Sequence, residues 1–327
     1  VLEHTFKEGI TSLELADLTK DGKTELILAT MDGDVRIFEI TAELEELAKV
    51  SCKAPVATLG LGDLVGDDIP ELVVGSMDNK LLVIAFEDGE LVVKDSTPLG
   101  TLPTAVMAAN VLGNTSAEVI IATNDSALRC YGWFDGYLDK LAHKVLERPT
   151  FSMRPISTKG VPYNRFIFGD DSEHLFIYQY QDDRLHERAR TKINGEVQLV
   201  ASGKITKGYT DQVVSVTDAK KISLWKVEQS GFELLASTKA SDAVTSLCVG
   251  KFCESDTSKG QILASQGDSS IRILEYDGEK IEQICTVKTA RKSVESKITY
   301  GDLNGDGALE LVQAVRNTIY VIDILEE

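Results

Sequence analysis

The feature that most constrains this chain is a period. Seven segments share one pattern: an apolar strand-like run, a small residue, a polar loop, then a second apolar run. They open at Ile10, Pro55, Thr104, Ser152, Val197, Val244 and Glu295. The first loop residue of each unit serves as a marker: Asp17, Asp63, Asn110, Ser157, Lys204, Lys251 and Asp302. Successive markers lie 46, 47, 47, 47, 47 and 51 residues apart. The last interval is longer because the sixth loop, Lys251 to Gly260, carries extra residues. A unit of this size cannot bury its own apolar face and must stack against copies of itself. The period matches a four-stranded blade, so seven units predict an all-β, seven-bladed β-propeller.

Within the first unit, strands are expected at Thr11 to Leu15, Leu26 to Ala29 and Val35 to Ile40, with Asp32-Gly33 turning the chain. The second strand of every unit is a short unbroken apolar run, as suits a strand buried on both faces. Two segments carry a conflicting signal. Thr41 to Lys49 and Tyr137 to Val145 read locally as helix, but their place in the repeat assigns them to the outermost strand. The ends of the chain supply a separate check. The seventh unit holds three strands, the last ending near Ile324, and Val1 to Phe6 is a spare β-like segment. If that segment completes the last blade, both leftovers are accounted for and an exposed sheet edge is hidden. A single domain of residues 1–327 follows, with a Velcro-type closure by the N-terminal strand. The blades fall near 10–54, 55–101, 102–150, 151–195, 196–242, 243–293, and 294–327 plus 1–6.

Charge narrows the partners. The chain has 327 residues, 34 basic and 52 acidic, for a formal charge of −18. Such a field repels nucleic acid and anionic membrane surfaces, and favours cations or a protein with a basic face. No apolar run of 18 residues occurs, so no membrane-spanning helix is expected. No basic-then-apolar leader is visible. A chain opening on Val1 rather than Met is compatible with trimming or processing, so this says little about compartment. The five cysteines, Cys52, Cys130, Cys248, Cys253 and Cys285, are odd in number and form no CxxC. They lean towards a reducing compartment.

The loops carry the most chemistry. In GDLNGDGALELVQAV, residues 301–315, Asp302, Asn304, Asp306 and Glu310 occupy loop positions 1, 3, 5 and 9, and Gly307 stands at position 6. Calcium takes six to eight oxygen ligands, and short acidic loops present them from alternating positions. Ala308 would add a backbone carbonyl at position 7. A helical calcium hand needs Glu at position 12, where this loop has Gln313 inside a strand. The loop thus has the ligand spacing without the helices.

D-x-N-x-D-G-x-x-E between two strands of a blade resembles the FG-GAP repeats of integrin-α-type propellers. That resemblance implies calcium bound on one face of the fold. The first unit matches at Asp17, Asp21 and Glu25, with Thr19 at position 3, Gly22 at position 6 and Lys23 offering the carbonyl of position 7. The second keeps Asp63, Asp67 and Glu71, but has Val65 at position 3 and Asp68 in place of glycine. The third has Asn110, Leu112, Asn114 and Glu118. The fourth, fifth and sixth begin with Ser157, Lys204 and Lys251, and an ammonium group at the first position is incompatible with a cation. The FG and GAP tripeptides are largely absent. The chain therefore reads as a divergent member, to which the family's adhesive role does not transfer and whose compartment, extracellular included, stays open. One to three structural calcium ions are expected. The competing reading is that Asp, Asn and Gly merely cap turns.

No catalytic motif emerges. His4, His143, His174 and His186 are isolated, and no G-x-S-x-G, phosphate loop or H-E-x-x-H occurs. The preferred reading is a non-enzymatic platform for another protein. Two alternatives stay open: a hydrolase or lyase with its site at the central channel, and a calcium-dependent carbohydrate-binding module. Trp133 and Trp225 are expected inside the blade sandwich. The aromatic run of Phe166, Phe168, Phe176, Tyr178 and Tyr180 reads as core, or else as an exposed patch. The loop Ser157 to Arg165 is the expected contact region.

Overall fold

The computed structural model describes every residue except 1, 42, 159, 208–209, 229–230, 253–259, 289–295 and 324–327. The segment markers Glu295 and Ile324, most of the sixth loop and Cys253 lie outside the described residues. The chain opens with β1 (Leu2–Thr5). Blade 1 follows as β2 (Ile10–Ala16), β3 (Glu25–Thr30), β4 (Asp34–Ile40) and β5 (Leu44–Ser51). Blade 2 is β6 (Val56–Gly62), β7 (Glu71–Ser76), β8 (Lys80–Glu87) and β9 (Glu90–Pro98). Blade 3 is β10 (Pro103–Ala109), β11 (Glu118–Thr123), β12 (Ala127–Phe134) and β13 (Tyr137–Val145). Blade 4 is β14 (Met153–Ile156), β15 (Arg165–Gly169), β16 (His174–Gln181) and β17 (Arg184–Lys192). Blade 5 is β18 (Val197–Gly203), β19 (Gln212–Thr217), β20 (Lys221–Glu228) and β21 (Gly231–Lys239). Blade 6 is β22 (Val244–Gly250), β23 (Gln261–Gln266), β24 (Ser270–Tyr276) and β25 (Ile281–Lys288). Blade 7 is β26 (Ser296–Gly301), β27 (Glu310–Val315) and β28 (Thr318–Asp323), with β1 as its fourth strand.

Each sheet is antiparallel and four-stranded, and no helix occurs among the described residues. The fold is a seven-bladed β-propeller. Its last sheet has the order β1-β28-β27-β26, so the N-terminal segment lies where the sequence places it. Leu2 pairs with Val321 and Thr5 with Thr318. The Phe6 N–H donates to Asn317 O at 2.8 Å, and Asn317 Nδ2 donates back to Phe6 O at 2.7 Å.

Two compact units divide the chain: Val1–Pro149 with Thr299–Leu325, and Thr150–Ile298. In the first, one apolar core joins blades 1 and 2 through Ile27, Ile37, Val74 and Ile84. A second joins blades 2 and 3 through Val73, Val83, Val119 and Ile121. A third joins blades 7 and 1 through Leu303, Val312, Ile319, Leu26 and Leu28. In the second unit, Ile167, Ile177, Val200 and Val213 link blades 4 and 5, and Val214, Val216, Ile262 and Ala264 link blades 5 and 6. These cores explain the unbroken apolar runs. Strands β3, β7, β11, β15, β19, β23 and β27 are buried along their full length, as an unbroken apolar run requires.

Of the two segments with helical signals, Tyr137–Val145 is a strand throughout and the first is a strand from Leu44 onward. Differences in helix propensity are a few tenths of a kcal/mol per residue. Against that, Leu44–Ser51 pairs along β4 from Ile40↔Leu44 to Asp34↔Ser51, and Leu47, Ala48 and Val50 pack on the core between blades 1 and 2. Tertiary pairing therefore decides. The turn at Asp32-Gly33 spans Thr30 to Gly33, whose N–H donates to Thr30 O at 3.0 Å. Gly33 has φ +88, and a Cβ there would lie 2.4 Å from Ala54 O, so only glycine fits.

Candidate functional site

In six blades the loop between the first and second strand starts from the same two constraints. Its second residue is apolar and buried in six blades: Leu18, Leu64, Val111, Ile205, Phe252 and Leu303. Sinking that side chain takes its own N–H out of water, so the N–H needs an acceptor. The acceptor is the residue that opens the second strand. Glu25 Oε2 accepts from Leu18 N at 2.6 Å, Glu71 from Leu64 N at 2.8 Å and Glu118 from Val111 N at 2.8 Å. Glu310 accepts from Leu303 N at 2.7 Å. In blades 5 and 6 a neutral glutamine does the same: Gln212 accepts from Ile205 N at 2.7 Å, and Gln261 from Phe252 N at 3.0 Å. The position-9 carboxylate is thus first a staple of the loop. Ligand spacing alone hides this role, because it singles out position 9 only in the loops that resemble metal sites. The detectable signal was Glu or Gln recurring in six units, behind an apolar position 2.

Burial raises the carboxyl pKa of Glu25, Glu71, Glu118 and Glu310. The backbone N–H donors oppose that shift without cancelling it. In Glu71 and Glu310 the neighbouring loop aspartates add to it, and in Glu25 Asp17 does.

The first, second and seventh loops share one backbone shape. Positions 4 and 6 are left-handed in each: Lys20 and Gly22 (φ 58 and 86), Gly66 and Asp68 (87 and 65), Gly305 and Gly307 (76 and 86). Asp68 therefore takes the glycine conformation despite its side chain. Position 1 caps this shape. Asp302 accepts from Gly305 N at 2.8 Å and Gly307 N at 2.9 Å. Asp63 accepts from Gly66 N at 2.6 Å and Asp68 N at 2.9 Å. Asp17 Oδ2 accepts from Gly22 N at 3.0 Å. Position 5 caps the exit: Asp21 to Lys23 N at 2.9 Å, Asp67 to Ile69 N at 2.9 Å, Asp306 to Ala308 N at 2.8 Å. In the first and seventh loops each of these oxygens keeps a lone pair after accepting one N–H, whereas Asp63 Oδ1 accepts from both Gly66 N and Asp67 N.

The loops differ in how far their acids converge. In the first, Asp17, Asp21 and Glu25 each bring an oxygen within 4.8 Å of the others. Asp17 Oδ1 is buried and accepts no hydrogen bond, and the Thr19 hydroxyl lies 3.1 Å from Glu25 Oε1. An orphaned buried carboxylate oxygen beside two more carboxylates fits a hard divalent cation. Lys23 is drawn outward onto Glu39, with its ammonium 3.9 Å from Asp21. In the seventh loop, Asn304 Nδ2 turns towards Asp306 Oδ2 (3.1 Å) and Glu310 Oε1 (3.4 Å). Among the described residues, the first loop holds the converged acidic trio, although the seventh has the fuller ligand sequence. A cavity of about 300 Å³ adjoins the seventh loop, where Glu310 and Asp323 face apolar walls from Leu2, Ile40 and Val321.

Phe166, Phe168, Phe176, Tyr178 and Tyr180 are buried and are core. Trp225 is buried, its indole N–H donating to Ser215 Oγ at 2.9 Å, and Trp133 packs against the core of blades 2 and 3. Cys52, Cys130, Cys248 and Cys285 are free thiols, and burial pushes the Cys52 thiol up to about 11, which leaves it unreactive.

No family model matches the chain, and no curated protein matches it in sequence. Its fold is similar to that of BBS1N in a crystal structure of BBS1N in complex with ARL6DN, soaked with lead. The TM-score is 0.74 at 8% identity, covering 100% of this chain and 96% of the other. A mercury-soaked crystal of the same complex gives 0.72 at 9% identity, covering 98% and 94%. Likeness at this identity establishes the fold.

Proposed function

We propose that this propeller is a non-enzymatic platform for a protein partner, with calcium as a structural pin in its FG-GAP-like loops. The carrying observation is the full-length likeness to BBS1N, a domain crystallised with a protein partner, ARL6DN. The charge of −18 and the acid-lined cavity at Glu310 and Asp323 favour a partner with a basic face. The test is affinity capture on the immobilised chain, with mass spectrometry and salt titration. One stoichiometric partner is expected, released as ionic strength rises and weakened by Asp323→Lys. Turnover of esters, phosphates or glycosides by the purified chain would replace this reading with an enzymatic one.

Calcium would be held by Asp17, Thr19, Asp21 and Glu25 in the first loop, with the Lys23 carbonyl. In the seventh it would be held by Asp302, Asn304, Asp306 and Glu310, with the Ala308 carbonyl. The second loop, Asp63, Asp67 and Glu71, is the third candidate. The backbone is already shaped in all three, so an ion would lock a formed turn. At one hundred times Kd a single site stabilises the fold by about 2.7 kcal/mol. Calcium is expected to raise Tm and a chelator to reverse it, with Asp17→Ala removing the largest share of the calcium-dependent increment. Reading the increment separates ion binding from the lost Gly22 cap. An unchanged Tm leaves these loops as hydrogen-bonded turns.

A further inference from the structure

Glu310 opens β27 directly opposite Asp323 on β28. Cross-strand partners share one face of a sheet, and like charges in that position repel. Among the described residues, neither carboxylate has an ion-pair partner. Elsewhere the repeat avoids or neutralises this arrangement. In blade 6 the acid Glu275 faces the neutral Gln261, and in blade 5 Gln212 faces Lys226. One step beyond the Leu26↔Phe38 pair of blade 1 stand Glu25 and Glu39, two acids again. There Lys23, at loop position 7, places its ammonium 2.5 Å from Glu39 and 3.9 Å from Asp21. Position 7 of the seventh loop is Ala308, which has no charge to offer.

Beside the unneutralised pair lies the cavity of about 300 Å³. Glu310 is 4% exposed, whereas Asp323 is exposed, so the acidic wall runs from the interior to the surface. Leu2, Ile40 and Val321 give the cavity an apolar side, and Thr41 and Asn304 add polar groups. Its volume is at the small end for ligand pockets, which suits a single side chain. A lysine combines the two properties required, since its methylene stem lies along apolar surface while its ammonium stays with polar groups. Burial of one carboxylate strengthens its attraction for a cation that reaches it.

We propose that this cavity receives a lysine side chain, with its stem against Leu2, Ile40 and Val321 and its ammonium between Glu310 and Asp323. The incoming ammonium does between molecules what Lys23 does within blade 1. That the lysine belongs to a protein partner rests on the platform reading, whereas the pocket itself does not. Asp323 is not among the calcium ligands, but Glu310 is shared with the seventh loop, so calcium bound there would compete.

The test is an NMR titration of the full chain, in chelator, with Nα-acetyl-lysine methylamide. The norleucine analogue is the control, because it has an aliphatic stem without the ammonium, and the arginine analogue is the rival. A saturable shift of the Thr41, Val321 and Asp323 amides is expected with the lysine probe, a weaker one with the arginine analogue and none with norleucine. Asp323→Asn is expected to weaken binding about tenfold. So is Glu310→Gln, which keeps an acceptor for the Leu303 N–H as Gln212 does for Ile205 in blade 5. Ala308→Lys supplies the blade 1 ammonium and is expected to raise Tm by about 1–2 °C and to block the probe. No saturable shift, an equal shift with norleucine, tighter binding of the arginine analogue, or undiminished binding in Asp323→Asn overturns the proposal. A captured partner that Ala308→Lys holds as tightly as the parent removes the pocket and leaves the platform. Probe binding without any captured partner keeps the pocket and removes the platform.

Discussion

Glu118→Ala is expected to lower the unfolding free energy by about 2–4 kcal/mol, and Glu118→Gln by less than about 0.5 kcal/mol, both read from denaturant unfolding. The third loop is the place to ask, because its pattern of Asn110, Leu112 and Asn114 has no aspartate to hold an ion. Glu118 Oε2 accepts from Val111 N at 2.8 Å and Leu112 N at 3.0 Å, and Oε1 accepts from Asn114 Nδ2 at 3.1 Å. Alanine leaves two N–H groups facing an apolar interior, each costing about 1–3 kcal/mol. Glutamine keeps the acceptor. Blade 5 already demonstrates the exchange: Gln212 Oε1 accepts from Ile205 N and Thr206 N at 2.7 and 2.8 Å, while its Nε2 donates to Thr210 O at 2.9 Å.

The same pair of variants fixes the sign of a pH effect. Burial raises the Glu118 pKa in the folded state above the unfolded value of about 4.3. Between those two values the native state holds more protons than the unfolded one. Stability from this residue therefore falls as pH rises through that window, and stays low above it. Glu118→Gln has no such titration. Its stability relative to the parent is expected to grow as pH climbs out of the carboxylate range, then level off. A difference that shrinks with rising pH would mean that the hydrogen bonds outweigh desolvation, opposite to the burial argument.

The repeat was legible because stacking demands it: 46- and 47-residue spacing and unbroken apolar second strands leave few other ways to bury Leu26 to Ala29 or Val119 to Ala122 on both faces. The candidate site was only partly legible. Spacing located the loops, and the acids stand there. Spacing does not say which way a side chain turns, however. The seventh loop has the fuller ligand sequence, yet Asn304 and Asp306 bond each other, while the first loop gathers Asp17, Asp21 and Glu25. The carboxylate pair of blade 7 joins Glu310 to Asp323, and only the register of β27 on β28 brings them together. A one-dimensional pattern could have flagged Ala308 where the first loop has Lys23, and no more than that.

Deleting residues 1–6 is expected to destabilise the fold by roughly 3 kcal/mol and to make it associate in a concentration-dependent way. β1 itself is largely exposed, so it adds little apolar burial of its own. Its effect is on what it covers. Ile319, Tyr320 and Val321 of β28 are buried beneath it or beside it, and the Phe6 ring meets Phe38 edge-on at 5.5 Å and His4 at 4.7 Å. Losing the partly buried Leu2 and Phe6 costs about 1 kcal/mol each, below the full-burial value, and the lost strand pairing adds to that. The entropy released by about six residues returns much of the total. The unpaired β28 edge then becomes a template for another chain, visible as a rising apparent mass in light scattering. Adding the peptide VLEHTFK in excess is expected to restore the parent's Tm and mass, because it supplies the same backbone partners to Asn317, Thr318, Ile319, Tyr320 and Val321. A truncated chain that melts like the parent and stays monomeric would show that the seventh sheet is complete without its N-terminal strand.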